Sequence, residues 1–194
     1  MTMYHEGNRA LQDQFGSRAL ADRLVEKLER RAFSEDDRAF IEGATYFFLA
    51  TAGADGCPDC SFKGGPAGFV RITGPGELAF PDYDGNGMFK SLGNVRSNPH
   101  VGMLFIELGG KPRRLRVNGR AGILAEDPLM REFPGAQLVV RVTAEHIFPN
   151  CPRYIPDLTT GTPSIYTPKP DAAPVEPTWK GFEIFRDVVP PRRA

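Results

Sequence analysis

Net charge is missing from this chain: 24 Lys and Arg residues are balanced by 24 Asp and Glu. That balance excludes a broad nucleic-acid or membrane-surface binder, because polyanions reward a large positive excess. It leaves room for a small local basic cluster. Long apolar runs are missing too. No stretch of about 20 apolar residues occurs, so no membrane span is expected. The first ten residues are polar and lack the basic-then-apolar layout of a secretory signal. Cysteine is scarce: three residues, an odd number with no extracellular context, speak against a disulfide framework. The resulting expectation is a cytoplasmic protein. No Gly-x-Ser-x-Gly elbow occurs. The three histidines show no nucleophile–base partnership along the sequence.

What is present is ordinary globular material. Hydrophobic residues make up 41% and charged residues 25% of 194, enough for one domain with a real core. Ser17 to Arg31 carries Leu20, Leu24, Val25 and Leu28 at helical spacing, with Ser17 able to cap. Ser34 opens a second helix, with Asp37 in the capping-box position and Phe40 and Ile41 behind it. The period then changes to that of strands. Thr45 to Ala52 enters a turn at Gly53-Ala54-Asp55-Gly56, and Cys57 to Lys63 returns. Further strands are expected over Gly68 to Thr73, Glu77 to Pro81, Val101 to Leu108, Arg113 to Leu124 and Ala136 to Phe148. Asn86 to Ser97 reads as a helix stopped by Asn98-Pro99. Asp127 to Phe133 reads as one helical turn.

Beyond Asn150 the chain is rich in proline, which breaks regular elements. Lys180 to Val189 regains apolar character and should dock rather than float. Trp179 reads either as an anchor for this segment or as a cover for a ligand ring. The division expected is a helical lead-in (1–44), a β-barrel domain (45–150) and a Pro-rich arm (151–194) packing on the barrel or on a partner subunit. Short strands with tight turns and one interrupting helix imply a mainly β fold, an antiparallel barrel or sandwich with peripheral helices.

Four constellations could carry chemistry. In Asp84-Gly85-Asn86-Gly87-Met88-Phe89-Lys90-Ser91, glycines allow close backbone approach. Asn86 can cap a helix whose free N–H groups face an anion, with Lys90 and Ser91 in reach. The P-loop spacing fails, and a plain capped turn with a solvated lysine is the competing reading. In Arg113 to Arg120, alternation puts Arg114, Arg116, Asn118 and Arg120 on one strand face. That face is either solvated or a cationic wall for a phosphate. Ser61 and Lys63 share a face of the earlier strand, where hydroxyl and ammonium could converge on one anion or simply meet solvent. Cys57 and Cys60 form a CxxC. In a strand their sulfurs point apart, and no helix follows to activate a thiol. A zinc site from Cys57, Cys60, His146 and Cys151 lacks standard spacing in its second pair.

The order of these pieces carries more than any one of them. Asp55 to Lys63, Gly68 to Arg71, Phe80 to Gly87, Ser91 to Pro99, Val101 to Phe105 and Leu115 to Gly119 together resemble the pyridoxamine 5'-phosphate oxidase-like family of FMN-binding split-barrel proteins. The likeness is greatest to the subgroup of predicted flavin-nucleotide-binding proteins. It spans roughly Phe40 to Ile155, and the Gly85-Asn86-Gly87, Ser91 to Asn94, Asn98-Pro99 and Leu115 to Gly119 strings are its most specific parts.

The resemblance implies a split β-barrel and a homodimer with FMN between subunits. By position it assigns the phosphate to Ser61, Lys63, Lys90 and Ser91, and the flavin border to Asp82, Tyr83 and Asn86. It places Arg116 on a strand reaching towards the cofactor. It implies an FMN-dependent oxidoreductase acting on a small molecule. Ser61 stands where an arginine is expected, and the C-terminal Arg-x-His motif of the vitamin B6 oxidases is missing, so pyridoxamine phosphate is not the expected substrate. A non-enzymatic flavin carrier or sensor is the alternative. So is a barrel that binds a deazaflavin, or haem through His100 or His146.

Overall fold

The computed structural model describes residues 3–108, 112–158, 160, 165 and 175–190. The chain forms two compact units. One comprises residues 30–106 and 114–150, and the other residues 1–29, 107–113 and 151–194.

The larger unit is a β-barrel of the split type. Its strands are β1 (Tyr46–Ala52), β2 (Pro58–Gly64), β3 (Arg71–Gly74), β4 (Glu77–Tyr83), β5 (His100–Glu107), β6 (Arg113–Leu124) and β7 (Ala136–Pro149). They lie in one sheet in the order β2-β1-β5-β6-β7-β4-β3. The β1–β2, β1–β5, β3–β4, β4–β7 and β6–β7 pairs are all antiparallel.

Alternation along the strands decides what goes inside. β1 buries Phe47, Leu49 and Thr51, β5 buries Val101, Met103 and Phe105, and β6 buries Leu115, Val117 and Ala121. The Phe47 ring sits 5.0 Å from that of Phe80, 5.2 Å from Phe105 and 5.9 Å from Phe69. This four-ring group is the centre of the core. The opposite face of β1 and β5 is also apolar. Tyr46, Phe48, Leu104 and Ile106 are only half-buried there, and Phe62 on β2 is 62% exposed.

Gly119 shows why the Leu115 to Gly119 string ends in glycine. The β6–β7 register shifts between Asn118 and Gly119. A Cβ at position 119 would meet the Thr143 carbonyl oxygen at 2.1 Å. Only glycine lets the two backbones approach this closely.

The helix α3 (Glu35–Gly43) belongs to the same unit and has the capping box expected of Ser34 and Asp37. Asp37 is buried and also accepts from Arg30 Nη2 at 2.8 and 2.9 Å. The helix α4 (Lys90–Ser97) crosses β1, pinned by a buried hydrogen bond from Asn94 Nδ2 to Thr51 Oγ1 at 3.0 Å. A short 3₁₀ turn, Pro128–Arg131, stands where one helical turn was expected. It is tied down by Asp127, which accepts from Leu129 N at 2.9 Å and from Arg141 Nε at 2.6 Å.

In the other unit, α1 (Glu6–Gln14) precedes α2 (Arg18–Leu28). The start of α1 is capped by His5 and Asn8. The expected docking of Lys180 to Val189 is seen here. Phe185 is buried in α5 (Glu183–Arg186), the Trp179 ring meets it edge-on at 5.7 Å, and Arg23 of α2 donates to the Ile184 carbonyl at 2.6 Å. Trp179 is thus an anchor of this segment. No helix among the described residues is long and apolar enough to cross a membrane.

Candidate functional site

A cavity of about 550 Å³ opens between β2, the end of β4, the start of α4 and the start of β7. Its volume lies in the range of small-molecule sites. β2 contributes Asp59, Ser61 and Lys63, which alternate onto one face. β4 contributes Asp82 and Tyr83 where it leaves the core. The loop Asp84 to Phe89 forms a rim, followed by Lys90, Ser91 and Leu92, and Gln137 closes the β7 side.

The rim loop is shaped by two left-handed residues, Gly87 at φ 72° and Phe89 at φ 47°. A non-glycine residue in that region carries local strain. The sequence pattern suggested a helix from Asn86, with Asn86 as its cap. Instead α4 begins at Lys90, after the left-handed Phe89, and has no side-chain cap. Asn86 Oδ1 accepts from Met88 N at 3.0 Å, a turn contact within the loop. The physical reason is that Gly87 and Phe89 bend the chain out of a helical path. Met88 and Phe89 are left exposed at 72% and 51%.

Ser91 joins α4 to β2. It is 6% exposed, and its Oγ lies 2.9 Å from Ser61 Oγ and 3.4 Å from Asp59 Oδ2. Opposite, Gln137 Nε2 donates to Asp84 Oδ1 at 3.0 Å. Burial pushes the Asp82 carboxyl above its ordinary value, and the nearby Lys63 ammonium partly opposes that.

Seven of the expected residues therefore meet at one cavity: Ser61, Lys63, Asp82, Tyr83, Asn86, Lys90 and Ser91. Arg116 does not line it. It is exposed on the outward face of β6. Asp59 and Gln137 line the cavity and were not anticipated. Asp59 was within reach of the strand period, two residues before Ser61. Gln137 comes from a distant strand and had no local signal. His100 lies 3.1 Å through Nε2 from Arg120 Nη1, and His146 is buried on β7; neither lines this cavity. Cys57 and Cys60 are exposed, and no group of three or more metal-ligating side chains occurs among the described residues.

Residues 33–160 match the model of the family described as pyridoxamine 5'-phosphate oxidase, well over half of the chain. The chain belongs to the pyridoxamine 5'-phosphate oxidase family. No curated protein matches it. Solved structures with similar folds include HupZ from Group A Streptococcus, at 17% identity and TM-score 0.47, covering 68% of this chain and 98% of that one. An FMN-binding protein from Syntrophomonas wolfei subsp. wolfei has 12% identity and TM-score 0.47, covering 75% and 96%. HutZ, the heme storage protein from Vibrio cholerae, has 15% identity and TM-score 0.44, covering 61% and 95%. The family match spans α3, all seven strands and α4, and so contains every residue of the cavity.

Proposed function

We propose that the cavity is a flavin-nucleotide site and that FMN is its ligand. The observation that carries this is the meeting of Lys63, Lys90, Ser61 and Ser91 at one cavity in a chain of this family. The residues suit a phosphate ester. Two ammonium groups can offset an FMN phosphate, which carries close to two negative charges. Two hydroxyls can donate to its oxygens. The uncapped first turn of α4 leaves backbone N–H donors without a side-chain partner at the same end of the cavity. Tyr83, Met88 and Phe89 supply apolar surface for a flat ring system.

Bound FMN would supply hydride or electron transfer, and the protein would supply binding and orientation. Lys63 and Lys90 hold the phosphate end. Asp82, Tyr83 and Asn86 border the ring, where polar contacts tune its electronics. The reaction we assign is oxidoreduction of a small molecule.

We further propose a homodimer with the cofactor at the subunit interface. The half-buried Tyr46, Phe48, Leu104 and Ile106 and the exposed Phe62 form an apolar outer face that a second copy would cover. In such a dimer Arg116, outside the cavity of its own chain, can serve the partner's ligand. The test is the absorption spectrum of the purified protein, with mass identification of what it releases. Flavin absorbance, or uptake of added FMN, supports the reading. Failure to take up FMN, or a Soret band in its place, overturns it. Steady flavin reduction by NAD(P)H separates an oxidoreductase from a carrier.

A further inference from the structure

The cavity holds more acid than a phosphate site needs. Lys63 and Lys90 line it, but so do Asp59, Asp82 and Asp84, so its formal charge within one chain is negative. Two of the three carboxylates have an evident position. Asp84 accepts from Gln137 at the rim, and Asp82 is half-buried at the end of β4. The third, Asp59, stands at the hydroxyls themselves, with its Oδ2 3.4 Å from Ser91 Oγ.

Proton counting makes this position matter. A carboxylate oxygen accepts only, and each serine hydroxyl has one proton to give. Ser91 Oγ faces two acceptors, Ser61 Oγ at 2.9 Å and Asp59 Oδ2 at 3.4 Å, and its single proton can serve only one of them at a time. When that proton turns to Asp59 it is not offered to a ligand. A phosphate that takes the Ser91 proton must turn it away from Asp59 and place its own charge beside that carboxylate. Along β2, Asp59 is two residues from Ser61, about 7 Å in an extended chain. That is well inside the range where charges interact at moderate ionic strength.

We propose that Asp59 sets the cavity's selectivity for phosphate charge, competing with the ligand's phosphate for the Ser61–Ser91 hydroxyls and so holding down affinity for a dianionic monoester. This rests on the flavin-nucleotide reading and deepens it. Asp59 is then a specificity-determining residue. Its removal strengthens binding, the opposite of what a residue that merely orients the serines would do.

The test compares FMN with riboflavin, which has the same ring and no phosphate, by fluorescence titration of the full chain and of Asp59→Asn. The amide keeps the shape of the carboxylate and removes the charge. The expected result is FMN binding tightened on the order of tenfold, as for loss of one like charge at several ångströms in partly screened surroundings, with riboflavin affinity unchanged. Unchanged riboflavin affinity also shows that the variant is folded. FMN affinity that stays the same or falls in Asp59→Asn, while the parent protein binds FMN, overturns the role of Asp59 and leaves the flavin site standing. A parent protein that binds neither compound overturns both.

Discussion

The Ser91 hydroxyl lies 2.9 Å from that of Ser61, and this contact ties the first turn of α4 to the face of β2. Lys63 lies two residues further on that face, and Lys90 directly precedes Ser91. The pair therefore sits where the two ammonium groups and the helix start come to one cavity. Replacing Lys63 or Lys90 with Ala should weaken FMN binding by roughly 1.5–3 kcal/mol each, as for a hydrogen bond to a charged group. Ser91→Ala should cost less, about 0.5–1.5 kcal/mol. Titration calorimetry with FMN and riboflavin checks this: losses confined to FMN place the residues at the phosphate, and equal losses for both ligands speak against it.

The backbone crossing at Gly119 makes a prediction about stability. A methyl group there meets the Thr143 carbonyl oxygen at 2.1 Å and the Ala144 Cα at 3.0 Å. Both are backbone atoms of β7 and can move only if the strand moves. Gly119→Ala should therefore destabilise the barrel by roughly 1–3 kcal/mol, as for other overpacking changes. Gly122→Ala, in the same strand with no atom near its Cβ, should be close to neutral. Urea unfolding of the two variants side by side gives the comparison.

The same contrast shows what could be read from the residues alone. The buried sides of β1, β5 and β6 follow from alternation, because a period of two needs no knowledge of partners. Ser61 and Lys63 are legible on one strand face for that reason, and Asp59 shares that face by the same period. The start of α4 was not legible. A left-handed phenylalanine is an outlier that composition does not announce, and Asn86 had every mark of a cap. Gln137 was beyond reach, since β7 comes beside β4 only through long-range pairing. Arg116 lies on the exposed polar face of β6 that alternation gives it, away from the cavity.

The ring cluster around Phe47 predicts where the core is least forgiving. Phe47 is fully buried and lies within 6 Å of three other phenylalanine rings. Phe47→Ala removes one ring and leaves a cavity lined by the rest, at a cost of about 3–5 kcal/mol. Phe47→Leu keeps most of the volume and should cost clearly less. Thermal and urea denaturation rank the two variants. A small loss for Phe47→Ala would mean that the neighbouring rings collapse into the space.

Asp127 predicts a pH dependence. Its side chain is 1% exposed and is held by Arg141, Nε to Oδ2 at 2.6 Å and Nη2 to Oδ1 at 3.1 Å. Hydrogen bonding to Arg141 is the main reason that its carboxyl sits below the ordinary value, with burial opposing. For an acid whose value is lower in the folded than in the unfolded chain, the stabilising effect is present above the unfolded value, about 3.9. It is lost as pH falls through the folded value. Stability should thus decline in acid below about pH 4, in part through this group. Asp127→Asn should lower stability at neutral pH by about 1–3 kcal/mol, since it weakens the acceptor for Arg141. It should also flatten the acid limb, because the amide does not titrate. Denaturation midpoints from pH 7 down to pH 3 measure both effects. An acid limb equally steep in Asp127→Asn would assign the titration to other carboxylates, with Glu77, which also accepts from Arg141 at 2.7 Å, the next to replace.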